Sequence, residues 1–322
     1  MAITLAESKV GMTDRIDQAV VDEFRRSSLL LDRMTFDNCV SPGTGGSNLV
    51  YGYTQLLTPS TAQFRAINTE YTANEAKRTK KTAELKIFGG AFNVDRVIQN
   101  TSGSVDEIAF QLTEKIKAAS NAFHYMAVRG NSASAPDQFD GLDVMLTGSS
   151  TECKDYAALD ITDPTSEKAC RLFMDAVDDF ISGLDGMPTM LCGNRLIINR
   201  IRSCARRLGY FTNSEDSFGK AVENYNGIPL LDMGEYYNGS STEYVVPVYD
   251  ADSNTGLTDL YAVTLGLDGF HGVSPTGDKL IRSYLPDMNQ PGALKTGEVE
   301  MTAAVVLKNS RKAGVLRGIK VK

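Results

Sequence analysis

Two histidines are the first residues to weigh for catalysis in this 322-residue chain, and neither has a partner at a working spacing. His124 follows Phe123 inside a long segment of helical apolar period, where an imidazole belongs to a core or an interface rather than to a reaction. His271 falls in Gly269-Phe270-His271-Gly272, a stretch expected to be a loop, with no nucleophile motif beside it. The Gly-x-Ser-x-Gly elbow, the His-Glu-x-x-His helix and the Gly-x-x-x-x-Gly-Lys-Ser/Thr loop are all missing from the sequence. Gly43-Thr44-Gly45-Gly46 has the composition of a phosphate cradle, but a strand pattern follows it, so no helix N-terminus stands ready for an anion and a linker is expected. Asp250-Ala251-Asp252-Ser253-Asn254 opens with the oxygen spacing of a calcium loop. Thr255 then replaces the turn glycine and Tyr261 the closing glutamate, which favours a solvated hairpin turn. Cys39, Cys153, Cys170, Cys192 and Cys204 are odd in number and never form Cys-x-x-Cys, which indicates reduced thiols rather than a disulfide framework or a zinc site. The expectation is a protein without a catalytic centre, metal or cofactor.

The remaining chemistry is ionic. A formal charge of −7 argues against a general nucleic-acid binder, which needs a basic surface to neutralise phosphates. Against that acidic background Lys77, Arg78, Lys80 and Lys81 form a basic cluster with Glu75 and Glu84 beside it. These cations serve either to keep a surface loop solvated or to meet carboxylates on an adjacent copy of the chain. Together with Tyr51, Tyr53 and Phe24 they are the candidate intersubunit contacts. No run approaches the roughly 18 apolar residues of a membrane span, and Met1 to Lys9 lacks the apolar core of a secretory signal, so a protein made in the cytosol is expected.

The elements that must position these groups follow from periodicity. Ile16, Val20, Phe24 and Leu31 recur at helical spacing behind Thr13 and Asp14, predicting a short amphipathic arm, and the glycine-rich Ser41 to Ser47 predicts a hinge after it. Asn48 to Leu57 alternates as a strand, a second strand-like run covers Thr82 to Ile87, and Thr58 to Lys81 between them is too polar for core and too long for a tight turn. Such an extended hairpin has little inward-facing apolar surface, so it is expected to lie across a neighbouring copy. Gly89-Gly90 is expected to bend the strand as it enters a body sheet. Ser104 and Glu107 suggest a capping box for a helix whose stripe is Val105, Ile108, Leu112, Ile116, Ala119, Phe123 and Met126, ending at Gly130 and about 35 Å long.

From Asp160 to Val273 a second, mixed unit is predicted. It has helices over Ser166 to Leu184 and Asn194 to Leu208, and strands at Thr189 to Cys192, Ile228 to Met233, Glu243 to Val248 and Leu260 to Leu265. The alternating Glu298 to Leu307 and the final Ala313 to Val321 are expected to return to the first body.

In this order the motifs carry a resemblance. Leu85-Lys86-Ile87-Phe88-Gly89-Gly90-Ala91-Phe92-Asn93-Val94 leads from the extended loop toward the long helix. Met126-Ala127-Val128-Arg129-Gly130-Asn131 ends that helix, and Phe139-Asp140-Gly141-Leu142 follows it. Asn226-Gly227-Ile228-Pro229-Leu230 and Tyr261-Ala262-Val263-Thr264-Leu265-Gly266 match the strands of the second unit. The chain resembles the major capsid proteins of tailed phages with the HK97 fold. The resemblance implies an α+β fold with an N-terminal arm (residues 1–47), an extended β-hairpin loop (48–87), a peripheral domain (88–158 and 277–322) containing the spine helix, and an inserted axial domain (159–276).

It also implies hexamers and pentamers closing into an icosahedral shell around double-stranded DNA, assembly in the host cytoplasm, a portal, and a virion location. The 47 residues before the first strand are too few for the assembly domain some members carry, so a separate scaffolding protein is expected. No residues match the covalent cross-link of one branch of the family. An encapsulin-like compartment is the alternative within the fold, and a small-molecule enzyme the alternative outside it.

Overall fold

The computed structural model describes residue 30 and residues 33–39, 48–101, 106–154, 159–163, 165–209, 211–215, 221–251, 254–275 and 281–322. The expected N-terminal arm helix with Phe24, and the hinge at Ser41 to Ser47, lie outside the described residues.

The first body is built on one long strand, Leu294–Leu307. Its first half pairs antiparallel with Lys86–Asp95 on one side and Ile281–Tyr284 on the other; its second half pairs with Phe270–Ser274, which carries the short parallel strand Phe36–Asn38. Alternation along Leu294–Leu307 buries Val299, Met301 and Ala303 on one face and turns Glu298, Glu300 and Thr302 to the other. The strand Lys86–Asp95 runs unbroken through Gly89 and Gly90, and the break between ribbon and body strands falls instead at Leu85, which is buried. Gly89 has a different reason to be glycine: a Cβ there would stand 1.9 Å from the Val299 carbonyl oxygen.

The long helix, Glu107–Arg129, lies across the inner face of this sheet. Its cap is Asp106, whose carboxylate accepts the N–H groups of Ile108 and Ala109 at 3.0 and 3.2 Å, a stronger arrangement for the orphan donors than the expected Ser104 box; Ser104 lies outside the described residues. The helix stops at Gly130, whose N–H donates to Met126 O at 2.8 Å and whose carbonyl accepts from Gly141. A Cβ on Gly130 would meet the Phe139 carbonyl at 2.3 Å and one on Gly141 the Met126 carbonyl at 2.7 Å, so the helix end and the following segment touch backbone to backbone.

Phe123, fully buried, is the hub of the first core. The rings of Phe36, Phe88 and Phe139 surround it with centroids at 5.8, 6.1 and 5.9 Å. Phe123→Ala empties that hub and is expected to cost about 3–5 kcal/mol, measured by chemical denaturation of the unassembled chain.

The second unit holds an eight-stranded sheet in the order Glu152–Cys153, Ala313–Lys320, Asn254–Val263, Met190–Gly193, Ile228–Asp232, Ala221–Tyr225, Phe211–Glu215, with Val248–Ala251 paired beside Asn254–Val263. Helices Glu167–Ser182 and Arg195–Leu208 pack together over it. Ser166 caps the first by accepting from Ala169, and Asn194 the second by accepting from Ile197. As their periodicity predicts, Ile197, Ile198, Ile201, Cys204 and Ala205 face inward.

Two strands depart from the sequence expectation. Ala313–Lys320 does not return to the first body but pairs with Asn254–Val263, because apolar residues on both its faces let it lie in the middle of a covered sheet. The run Glu243 to Val248 is not one strand; Thr242–Tyr244 pairs with Glu235–Tyr237, and Val248–Ala251 joins the larger sheet.

One ionic network joins the units. Arg317 reaches Glu152 at 2.5 Å, Asp143 at 2.8 Å and Asp259 at 3.0 Å. Asp143 also takes Arg129 from the end of the long helix at 3.2 Å, and Asp259 accepts from the Tyr249 hydroxyl at 2.7 Å and the Gly318 N–H at 3.0 Å.

Candidate assembly interface

The candidate site is the hairpin Val50–Thr58 and Lys77–Glu84, which pair antiparallel as a separate two-stranded ribbon. Its base is clamped to its own body. The Leu85 N–H donates to Leu49 O at 2.8 Å, and the Tyr51 hydroxyl donates to Asp37 at 2.6 Å. Lys308 Nζ stands 3.7 Å from the same Asp37 oxygen and 5.3 Å above the Tyr51 ring, whose edge meets His271. Gln55 donates to the Lys308 carbonyl at 3.1 Å. Burial works against the Asp37 carboxylate, but the Tyr51 hydroxyl, the Asn38 N–H and Lys308 outweigh it and hold its pKa below the ordinary value.

Tyr51→Phe removes a hydrogen bond to a charged group and is expected to cost about 1.5–3 kcal/mol at neutral pH. A depressed Asp37 pKa contributes stability that is present above the unfolded value and lost as pH falls through the folded one. The difference from wild type in urea unfolding therefore shrinks in acid as Asp37 protonates.

Beyond this clamp the ribbon leaves the body. Every residue from Leu56 to Arg78 is exposed, including the large apolar side chains Leu56, Leu57, Phe64, Ile67 and Tyr71. The tip is shaped by polar contacts of its own: Asn74 Nδ2 donates to the Thr61 carbonyl at 3.0 Å, Thr69 Oγ1 donates to Ala66 O at 2.8 Å, and the Arg65 guanidinium lies 5.4 Å from the Tyr71 ring centre. These bonds fold the loop on itself and leave Phe64 and Ile67 facing solvent.

The basic cluster is a strand, not the polar loop expected of it. Six of the eight residues of Lys77–Glu84 are exposed, so no apolar alternation marks it, and pairing with Val50–Thr58 makes the strand instead. The register puts Lys81 beside Tyr53 on the face toward the body, and Lys80 and Arg78 beside Thr54 and Leu56 on the other. Lys80 lies over Gly52, whose missing Cβ would sit 3.2 Å from Lys80 Cε. Lys81, Tyr53, Glu84, Phe139 and Asp140 line a cavity of about 480 Å³ under the ribbon. Among the described residues none of Lys77, Arg78, Lys80 and Lys81 makes an ion pair. Of the residues singled out as intersubunit contacts, the structure thus brings the four cations and the two tyrosines onto one ribbon. It turns Tyr51 inward and leaves Arg78 and Lys80 outward. The apolar tip, missed in the sequence because Phe64, Ile67 and Tyr71 lie scattered in a polar run, is legible only once their exposure is seen.

The histidines take structural places. His271 is not in a loop but in the buried strand Phe270–Ser274, and His124 is buried with Nε2 2.8 Å from Met233 O. Burial lowers both imidazole pKa values, favouring the neutral ring. Burial pushes the Cys192 thiol up to about 12, away from reactivity. Asp250 lies in the strand Val248–Ala251, which pairs antiparallel with Asn254–Val263, and it accepts the Gly256 N–H at 2.8 Å; Asp252 and Ser253 lie outside the described residues. Among the described residues no group of three potential metal ligands occurs, and no helix is long and apolar enough to cross a membrane.

A long helix laid on a sheet of long strands, an outlying two-stranded ribbon, and a second sheet covered by two helices define the HK97-like capsid fold, and this chain has it. Solved structures of that kind match over almost the whole chain. The SrpI encapsulin complex from Synechococcus elongatus PCC 7942 is similar with a TM-score of 0.65 at 14% identity, covering 100% of this chain and 98% of that one. A structure from Mycobacterium phage Bobi gives 0.61 at 12% identity, with 98% and 99% covered. The capsid of Myoviridae phage XM1 gives 0.57 at 12% identity, again with 98% and 99% covered. No protein-family model and no curated protein matches the chain.

Proposed function

We propose that this chain is the structural subunit of a closed protein shell, a phage-type major capsid protein without enzymatic activity, whose hexamers and pentamers enclose double-stranded DNA. The observation that carries this is the ribbon: a stretch exposed from Leu56 to Arg78, tipped with Phe64, Ile67 and Tyr71, on a fold shared with capsids and an encapsulin. An exposed apolar tip on a rigidly clamped arm is satisfied by another molecule, and the simplest such molecule is another copy. Repetition of one modest contact around a shell multiplies its effect through avidity. The acidic composition suits a container that holds DNA without gripping each phosphate, with counterions screening the wall. A separate scaffolding protein and a portal, assembly in the host cytoplasm and a virion location belong to the same reading.

The likeness to the encapsulin supports a second reading, a cellular compartment loaded with protein cargo. Electron microscopy and sedimentation of the protein expressed alone and with its genomic neighbours test the proposal. Closed particles support both readings, nuclease-protected long DNA inside native particles selects the first, and a protein cargo selects the second. A chain that stays monomeric under every condition sinks both.

A further inference from the structure

Among the described residues nothing covers the outer face of the first sheet at Glu298 and Glu300, and the charge there has no ion-pair partner. Register places Glu298 opposite Ala91 and Glu300 opposite Gly89, with Thr302 opposite Ile87, all turned away from the long helix that covers the other face. Glu298 is exposed and Glu300 half-buried, and among the described residues neither makes an ion pair. Arg282 stands across from Glu300 on the neighbouring strand and is exposed without pairing to it. Gly89 and Ala91 add almost no side chain, so the two carboxylates rise beside a shallow trough along Lys86–Asp95.

The ribbon carries the complement. Arg78 and Lys80 are two residues apart on its outward face, and so are Glu298 and Glu300 on theirs; at strand geometry both pairs are about 7 Å apart. Two cations and two carboxylates, none of them ion-paired among the described residues and set at the same spacing, fit as a two-point contact. Within one chain the ribbon base is clamped at Tyr51 on the other end of this sheet, beside Lys308, Asp37 and His271.

Resting on the shell reading above, we infer that the trough at Glu298 and Glu300 receives the Arg78 and Lys80 face of the ribbon from a second copy of this chain. The contact is heterologous: one patch on each copy meets a different patch on the next, which generates rings or lattices rather than a closed pair. It lies at exposed carboxylates and cations, so it orients and selects the neighbour and weakens with salt.

Charge reversal tests it. The variants Arg78→Glu with Lys80→Glu, and Glu298→Lys with Glu300→Lys, are each expected to lower the yield of assembled particles by at least about tenfold in sedimentation velocity at low salt. Each changes only exposed or half-buried side chains, and circular dichroism melts close to wild type are expected to confirm folding; should a double variant fail to fold, Lys80→Glu and Glu300→Lys alone replace it. The decisive sample is an equimolar mixture of the two variants, in which a negative ribbon faces a positive trough and the unaltered ribbon faces the unaltered trough. Mixed assemblies from two variants that do not assemble alone support the pairing. Variants that assemble as well as wild type, or a mixture that stays as inert as its components, overturn it and leave the shell reading standing. A wild-type chain that never assembles overturns the shell reading, and this inference with it.

Discussion

Arg317→Ala is expected to destabilise the subunit by about 3–5 kcal/mol, a fall in Tm of about 4–7 °C, because it removes one partner from a buried ionic cluster and leaves the others charged. Glu152 and Asp259 are 4% and 5% exposed in their side chains, so their charge has little water to turn to. Burial raises Asp259 above the ordinary carboxylate value even with Arg317 present, while at Glu152 the bonds from Gly148, Arg317 and Lys154 outweigh burial and lower it. Without the guanidinium Asp259 is raised further above its ordinary value, and Glu152 loses one of the bonds that lower it. A raised carboxyl pKa means that stability is regained as pH falls through the folded value and lost above it. The deficit of Arg317→Ala is therefore largest near neutrality and narrows in acid, which urea unfolding at a series of pH values measures. Arg317→Lys keeps the charge but not the planar fork, and should fall between the two. A deficit under about 1 kcal/mol, unchanged with pH, would show that the cluster contributes little to joining the units.

That network was invisible in the sequence. Arg317 meets Asp143, Glu152 and Asp259, partners whose numbers lie far from its own, and nothing in the local pattern around any of them announces the others. The helices were legible for the opposite reason, because their signals are local. Asn194 with the stripe Ile197, Ile198, Ile201 and Cys204, and Gly209 at φ 78° beyond Leu208, define a helix within its own span. The long helix was equally plain, although its cap lay two residues from where the serine suggested, since Asp106 offers a better acceptor.

A strand with one wet face shows which way it faces, whereas a strand buried on both faces shows only that it exists. Leu294–Leu307 alternates, but Ala313–Lys320 is apolar on both sides and so carries no mark of which sheet it joins. The ribbon strand Lys77–Glu84 is the reverse case, wet on almost every side, and a strand without an apolar face looks like a loop. What makes this ribbon a candidate interface is the same property that hid the start of its second strand: the pattern a chain uses to bury a strand in itself is missing from a strand that another molecule covers.

Replacing the tip residues Phe64, Ile67 and Tyr71 together with serine is expected to abolish assembly while leaving subunit stability within about 0.5 kcal/mol of wild type. All three are exposed, so no core is lost when they are shortened. If the tip is buried in the shell, each is worth about 1.5–3 kcal/mol there, and each tip recurs once per subunit. Sedimentation velocity reads the assembly and a thermal melt reads the fold. The tip and the trough respond differently to salt, which separates them. Raising ionic strength screens Arg78 and Lys80 against Glu298 and Glu300, whereas apolar burial at the tip is not screened and is strengthened by sulfate. Wild-type particles weakened by sodium chloride but recovered in sulfate would show both contacts acting together. The serine variant should recover in neither salt, since its loss is of apolar area. Particles formed by that variant at wild-type yield would mean that Phe64, Ile67 and Tyr71 stay in water in the assembled state, and the ribbon would then have to act through its cations alone.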